Sequence, residues 1–174
     1  MKKLQKKNSE IEFESAIENL KKYNQGNSLL NMSFPRYTVG KSYTTPLNKL
    51  RMQNSDFREC QFWDSIIRTN VSGSRLEKCK FRTINLENSN LQFSSLHDCI
   101  FDSCNINGSN FSNCFMDEIT FNNNSFMGSN FFRTQFKNCK IQGGEILSVS
   151  LEFSEFQNTY FENLRLANLS MEYS

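Results

Sequence analysis

The sequence predicts an all-β solenoid, a β-helix (β-solenoid) running from residue 51 to residue 174 behind an N-terminal α-helical cap in residues 1–50. Three observations predict it. Apolar residues recur at every fifth position for about one hundred residues, small residues stand two places before them, and a second period of twenty overlies the first. A short repeat decides the fold, because each unit is too small to bury its apolar side alone and must stack on its neighbours.

Residues 1–50 read as a basic leader, an amphipathic helix and a capping segment. Ten Lys/Arg against four Asp/Glu give residues 1–51 a charge of +6. Ser9 followed by Glu12 is a capping-box signature, Glu10 and Glu14 add negative charge to the first turn, Lys21 and Lys22 close the last turn, and Gly26 follows. Phe13, Ala16, Ile17, Leu20 and Tyr23 line one side of a helix over about residues 9–25. A solenoid end that is left open presents unpaired backbone, so this helix and the stretch with Pro35 and Pro46 are expected to fold over the first coil. A free arm or a partner-binding helix is the alternative.

The repeat opens in one frame with Met52, Phe57, Phe62 and Ile67, then steps four residues to Val71, so one residue is dropped at a corner. From Val71 to Met171 all twenty-one positions spaced by five are apolar, in a chain that is 37% apolar overall. Neither a helix nor a flat strand would place those residues on one side. The expected core is therefore Phe81, Phe101, Phe111, Phe121, Phe126, Phe131, Phe136, Phe156 and Phe161 with the aliphatic members of the same frame. The small set includes Ser74, Ser89, Ser94, Ser109, Ser129, Thr134 and Ser154, and it holds all six cysteines: Cys60, Cys79, Cys99, Cys104, Cys114 and Cys139. Ile84, Ile119, Val149, Leu164 and Leu169 are bulky for that set, and Asn124 and Gly144 are unusual in it.

Ser89-Asn90-Leu91, Ser109-Asn110-Phe111 and Ser129-Asn130-Phe131 resemble the unit of the pentapeptide-repeat family: a small residue, Asp or Asn, Leu or Phe, then two variable residues. The resemblance covers about 120 residues. It implies a right-handed quadrilateral β-helix, one repeat per side and four per turn, so that residues twenty apart stack. The sequence shows that spacing independently, since Asn70, Asn90, Asn110 and Asn130 recur before Ser150 and Ser170, and Cys79, Cys99 and Cys139 share another column. Stacked amides of this kind can bond to copies of themselves above and below. Twenty-five repeats make about six coils, a rod about 30 Å long at roughly 4.8 Å per coil.

Composition excludes several function classes. No apolar run approaches the roughly 18 residues that span a bilayer, mean hydropathy is −0.59, and the lysine-rich start leads into polar sequence, so the chain reads as cytoplasmic with no membrane role. The cysteines lack two-residue spacing and sit in the inward frame, where buried thiols fill space; no metal is expected. His97 is single, Asp117 and Glu118 face outward without a pocket, and a filled interior leaves no substrate cavity, so neither a catalytic residue nor a cofactor is expected. Charge density is too low for direct nucleic-acid binding.

Outward aromatics have no folding reason to exist on such a rod. Trp63 and Phe132 follow central residues by one, and Phe93, Phe153 and Tyr173 follow by two. Phe93, Phe132, Phe153 and Tyr173 fall on the face that carries the asparagines and, together with Trp63, form the candidate protein interface. The chain therefore reads as a non-catalytic protein-binding module or assembly subunit, with the uncapped C-terminal coil as a second docking surface or a route to a homo-oligomer. The family resemblance implies an alternative, a bacterial DNA mimic that protects or inhibits gyrase, a type II topoisomerase. Ten acids against four bases in residues 83–174 keep that alternative open.

Overall fold

The computed structural model describes residues 33–35, 38, 39, 53, 56–58, 61–63 and 70–174, with side chains at 53, 57 and from residue 70 onward. Five-residue spacing gives one short strand per side. These are β1 (Ser33–Pro35), β2 (Thr38–Val39), β3 (Asp56–Arg58), β4 (Gln61–Trp63), β5 (Arg75–Glu77), β6 (Lys80–Arg82), β7 (Ser95–His97) and β8 (Ile100–Asp102). The run continues with β9 (Phe115–Asp117), β10 (Thr120–Ser125), β11 (Gln135–Lys137), β12 (Lys140–Leu147), β13 (Glu155–Gln157), β14 (Tyr160–Glu162) and β15 (Arg165–Ala167). Odd-numbered strands from β1 to β13 stack in one parallel sheet and even-numbered strands from β2 to β14 in another, with β15 on the second half of β12. Two further columns are held by parallel bridges, one at Asn70, Asn90, Asn110, Asn130, Ser150 and Ser170, the other at Asn85, Asn105 and Ser125. Four stacked columns per turn make a β-solenoid of about five turns over residues 70–174. The expected sixth coil is described only in part, at β3 and β4, the helix expected at 9–25 falls on residues outside those described, and the described residues contain no helix.

Register confirms the dropped residue. Phe57 pairs with Leu76 and Phe62 with Phe81, nineteen residues apart, whereas every later pair is twenty apart, as in Leu76 with Leu96 and Phe81 with Phe101. Upstream, Phe34 pairs with Phe57 and Val39 with Phe62, so both sheets extend into the segment read as a capping stretch. Among the described strands β1 is the edge of its sheet, and at an edge the missing N–H of Pro35 breaks no ladder.

The interior is a set of ring and aliphatic columns. Phe81 stacks on Phe101 with centroids 4.5 Å apart, Phe101 on Phe121 at 4.9 Å, Phe111 on Phe131 at 5.0 Å and Phe136 on Phe156 at 5.0 Å. Around a corner the rings meet edge to face, as Phe121 with Phe126 at 5.2 Å. Both geometries suit the aromatic quadrupole. Phe161 departs from the expected buried set: it is 42% exposed, and Phe156 is half-buried, because no described coil lies above the last one.

Small residues at the second inward position do more than leave room. Ser109 Oγ donates to the Leu86 carbonyl at 2.6 Å, Ser129 Oγ to Ile106 at 2.7 Å, Thr134 Oγ1 to Phe111 at 2.7 Å and Ser154 Oγ to Phe131 at 2.6 Å. Each bond reaches back twenty-three residues to the central residue of the preceding side one coil below, so it ties neighbouring coils together and satisfies a buried carbonyl. The thiols of Cys99, Cys104, Cys114 and Cys139 make the same contact with Leu76, Phe81, Leu91 and Met116. Asn124 fits the position because both ends of its amide are used: Oδ1 accepts from Cys104 N at 2.8 Å and Nδ2 donates to Phe101 O at 3.0 Å.

The asparagine ladder works differently from the expectation. Its backbone pairs coil to coil, but the side-chain oxygens of Asn70, Asn90, Asn110 and Asn130 accept from the N–H two residues on, at Ser72, Gln92, Ser112 and Phe132, over 2.9–3.1 Å. These are Asx turns, and they outcompete amide stacking because the chain turns immediately afterwards. Asn85 and Asn105 do the same toward Glu87 and Asn107.

Candidate protein interface

Every corner of the solenoid has one residue in the left-handed region, two places after the central residue. From position 73 to position 173 all twenty-one such residues have positive φ. Gly, Asn and Asp fill twelve of them, as the conformation favours. Phe93, Phe153 and Tyr173 fill three others, with φ of 59°, 57° and 59°. All three share one corner column with Gly73, Asn113 and Arg133, next to the asparagine face.

Three of the five expected interface residues come together. The Phe132 ring meets Phe153 edge to face at 5.5 Å, and Phe153 stacks on Tyr173 at 4.9 Å with an interplanar angle of 17°. Phe132 is half-buried, Phe153 is 42% exposed and Tyr173 is 80% exposed. Phe93, 65% exposed, stands on the same corner but two coils from Arg133 in that column, with Asn113 between them. Trp63 is not on this face: its backbone pairs with Arg82 in the sheet of even-numbered strands.

Arg133 belongs to the cluster and was missed in the sequence. Its guanidinium carbon lies 5.0 Å from the Phe132 ring centroid and 5.7 Å from that of Phe153. The signal was available, since Arg133 follows Phe132 directly and precedes Phe153 by one coil. Glu152 and Glu172 immediately precede Phe153 and Tyr173, and the Phe153 N–H donates to the Glu172 carbonyl at 2.9 Å, so the two glutamates also stand one coil apart. Glu152 accepts a hydrogen bond from Ser170. Among the described residues neither glutamate has an ion-pair partner.

Several acids elsewhere are matched with bases one coil away. Arg82 faces Asp102, Arg165 faces Glu145 at 3.7 Å and Lys140 faces Glu162 at 3.3 Å. Asp117 sits between His97 Nδ1 and Lys137 Nζ, each at 3.8 Å, and accepts from Asn138 Nδ2 at 2.9 Å. Residues 70–174 carry eleven Asp/Glu and eight Lys/Arg. Exposed pairs of this kind are weak, but they mask the acids that a phosphate-like surface would need.

Burial sets the chemistry of three of the described cysteines. Cys79, Cys99, Cys104, Cys114 and Cys139 are buried. Loss of solvation pushes the Cys114 thiol up to about 12 and the Cys104 thiol up to about 11, and burial raises Cys139 as well. The raised thiols of Cys104, Cys114 and Cys139 favour the protonated form at neutral pH, not the thiolate that attack on an electrophile requires. Among the described residues no group of three His, Cys, Asp or Glu side chains is placed to hold a metal ion, and no helix is long and apolar enough to cross a membrane.

Residues 74–151 match a family model described as the pentapeptide repeat region. No curated protein matches the chain. Among solved structures, a trypsin-treated variant of QnrB1, a plasmid-mediated fluoroquinolone resistance protein, aligns at 16% identity and TM-score 0.36, covering 82% of this chain and 73% of that one. HetL, a pentapeptide repeat protein involved in heterocyst differentiation regulation in the cyanobacterium Nostoc sp. strain PCC 7120, aligns at 15% identity and TM-score 0.31, covering 84% and 83%. A pentapeptide repeat protein from the Arabidopsis thaliana thylakoid lumen aligns at 17% identity and TM-score 0.23, covering 62% and 67%. A five-residue repeat is carried through every described coil, and within it residues 74–151 are a pentapeptide repeat region of that family.

Proposed function

We propose that the chain is a non-catalytic, rigid protein-binding module that docks a partner protein along the corner bearing Phe93, Phe132, Phe153 and Tyr173. One observation carries this reading. Three bulky aromatics occupy a left-handed corner that costs a non-glycine residue about 1–2 kcal/mol, and they point into solvent where they add nothing to the core. Rigid aromatic side chains clustered on a fixed frame are the usual anchors of protein association. The proposal takes residues 51–174 as the binding rod, six right-handed coils in the cytoplasm, with residues 1–50 capping its first coil. A second copy of the chain would meet Phe161, Leu166 and Met171, which are 42%, 52% and 46% exposed at the last coil. Mimicry of DNA toward gyrase is less well supported, because a net charge of −3 on residues 70–174 is partly masked by coil-to-coil ion pairs.

The test is affinity capture from the producing cells with the natural protein and a Phe93→Ser, Phe153→Ser, Tyr173→Ser variant as baits. Capture of the specific partner is expected to fall about tenfold or more, with the melting temperature of the variant no lower than that of the natural protein. Equal recovery of the same partner by both baits would contradict the assignment.

A further inference from the structure

This inference rests on the proposed interface and names what it recognises. The Phe132, Phe153 and Tyr173 rings form a continuous column across adjacent coils, and the chain itself shows what that column accepts, because the Arg133 guanidinium is seated over its first two rings at 5.0 and 5.7 Å. Beyond Arg133 the column continues to Tyr173, which is 80% exposed, and no cation among the described residues is seated over that ring. Glu152 and Glu172 directly precede these outer rings in the sequence and stand one coil apart, without ion-pair partners among the described residues, the Glu152 carboxylate accepting a hydrogen bond from Ser170. A ring face next to a carboxylate attracts a cation twice over, through the negative face of the π-system and through direct charge.

We infer that the Glu152–Phe153 and Glu172–Tyr173 corner is a recognition site for an arginine or lysine side chain of the partner protein, seated over the Tyr173 ring as Arg133 is over those of Phe132 and Phe153. Guanidinium is the better match, being planar and weakly hydrated, so it can stack on a ring while its edge donates to a carboxylate. Two carboxylates beside the rings exclude a phosphate backbone as the occupant. A basic segment passing along the corner would place successive cations about one coil, roughly 4.8 Å, apart.

The experiment titrates full-length protein carrying carbon-13 in its phenylalanine and tyrosine rings with a blocked hexapeptide containing two arginines. Parallel titrations use the same peptide with citrulline or leucine in place of arginine, and an RNA hexamer. The arginine peptide is expected to move the Tyr173 and Phe153 ring signals. Binding should weaken about fivefold in a Glu152→Gln, Glu172→Gln variant, and the response should be lost in Tyr173→Leu, which keeps the apolar surface but removes the ring. Ring movements of equal size with the citrulline or leucine peptide would overturn the inference and leave the apolar interface standing. Failure of the capture experiment would strike the interface itself. Movement with RNA alone, movement on raising protein concentration alone, or no movement with any peptide would each overturn the cation site.

Discussion

Replacing Phe121 with alanine is expected to lower the free energy of unfolding by about 3–5 kcal/mol and the melting temperature by about 10 °C, read in a thermal melt followed by circular dichroism. The ring is 1% exposed, lies face to face on Phe101 at 4.9 Å, meets Phe126 edge-on at 5.2 Å and has Ile141 opposite it in the next coil. Its removal leaves a void bounded by three residues that cannot collapse into it, because each is fixed by its own coil and the coils are held apart at strand spacing. Nearest-neighbour stability sharpens the outcome, since the void breaks two stacking interfaces in the middle of the rod. A loss under about 1 kcal/mol would mean that the central residues are not packed as a shared column.

Gly144 gives the second large effect. Its φ is +83°, and a Cβ there would fall inside contact distance of the Asn124 carbonyl oxygen and 2.7 Å from the Asn124 nitrogen. Both obstacles are backbone of the coil below, so neither can move aside without breaking the β10–β12 pairing of Asn124 with Gly144. Gly144→Ala is therefore expected to destabilise by about 3–5 kcal/mol, combining left-handed strain with overpacking. Gly128 supplies the control, with φ of +67° and open space where a Cβ would go. Gly128→Ala should cost only about 1–2 kcal/mol, and equal losses at both positions would show that coil-to-coil approach at Gly144 is not what demands glycine.

Most of the solenoid is legible in the residues. The inward frame reads directly because each side of a coil needs one large and one small residue, and the frame shift between Ile67 and Val71 reappears as the nineteen-residue register of Phe57 with Leu76. What fails to read has identifiable causes. Asparagine is ambiguous between stacking and turning, and the choice depends on the positive φ three residues later, which a sequence does not display. Phe161 satisfies the repeat as well as Phe101 does, yet burial is decided by whether a coil lies above it. Phe34 and Val39 were overlooked although they are five apart, because Pro35 between them argues against a strand anywhere but at an edge. At the interface, the aromatic residues could be placed on one face by counting, whereas the ring-to-ring contacts and the role of Arg133 depend on side-chain directions at a corner.

The inward and outward sets can be separated in one measurement, hydroxyl-radical footprinting of the native protein with oxidation read residue by residue. Phe93 and Tyr173 are expected to oxidise readily, Phe153 at an intermediate rate, and Phe101, Phe111, Phe121 and Phe126 not detectably until the protein is unfolded, in line with exposures of 65%, 80% and 42% against 0–2%. Comparable rates for the two groups in the folded state would contradict both the packed column of rings and the aromatic corner proposed to bind a partner.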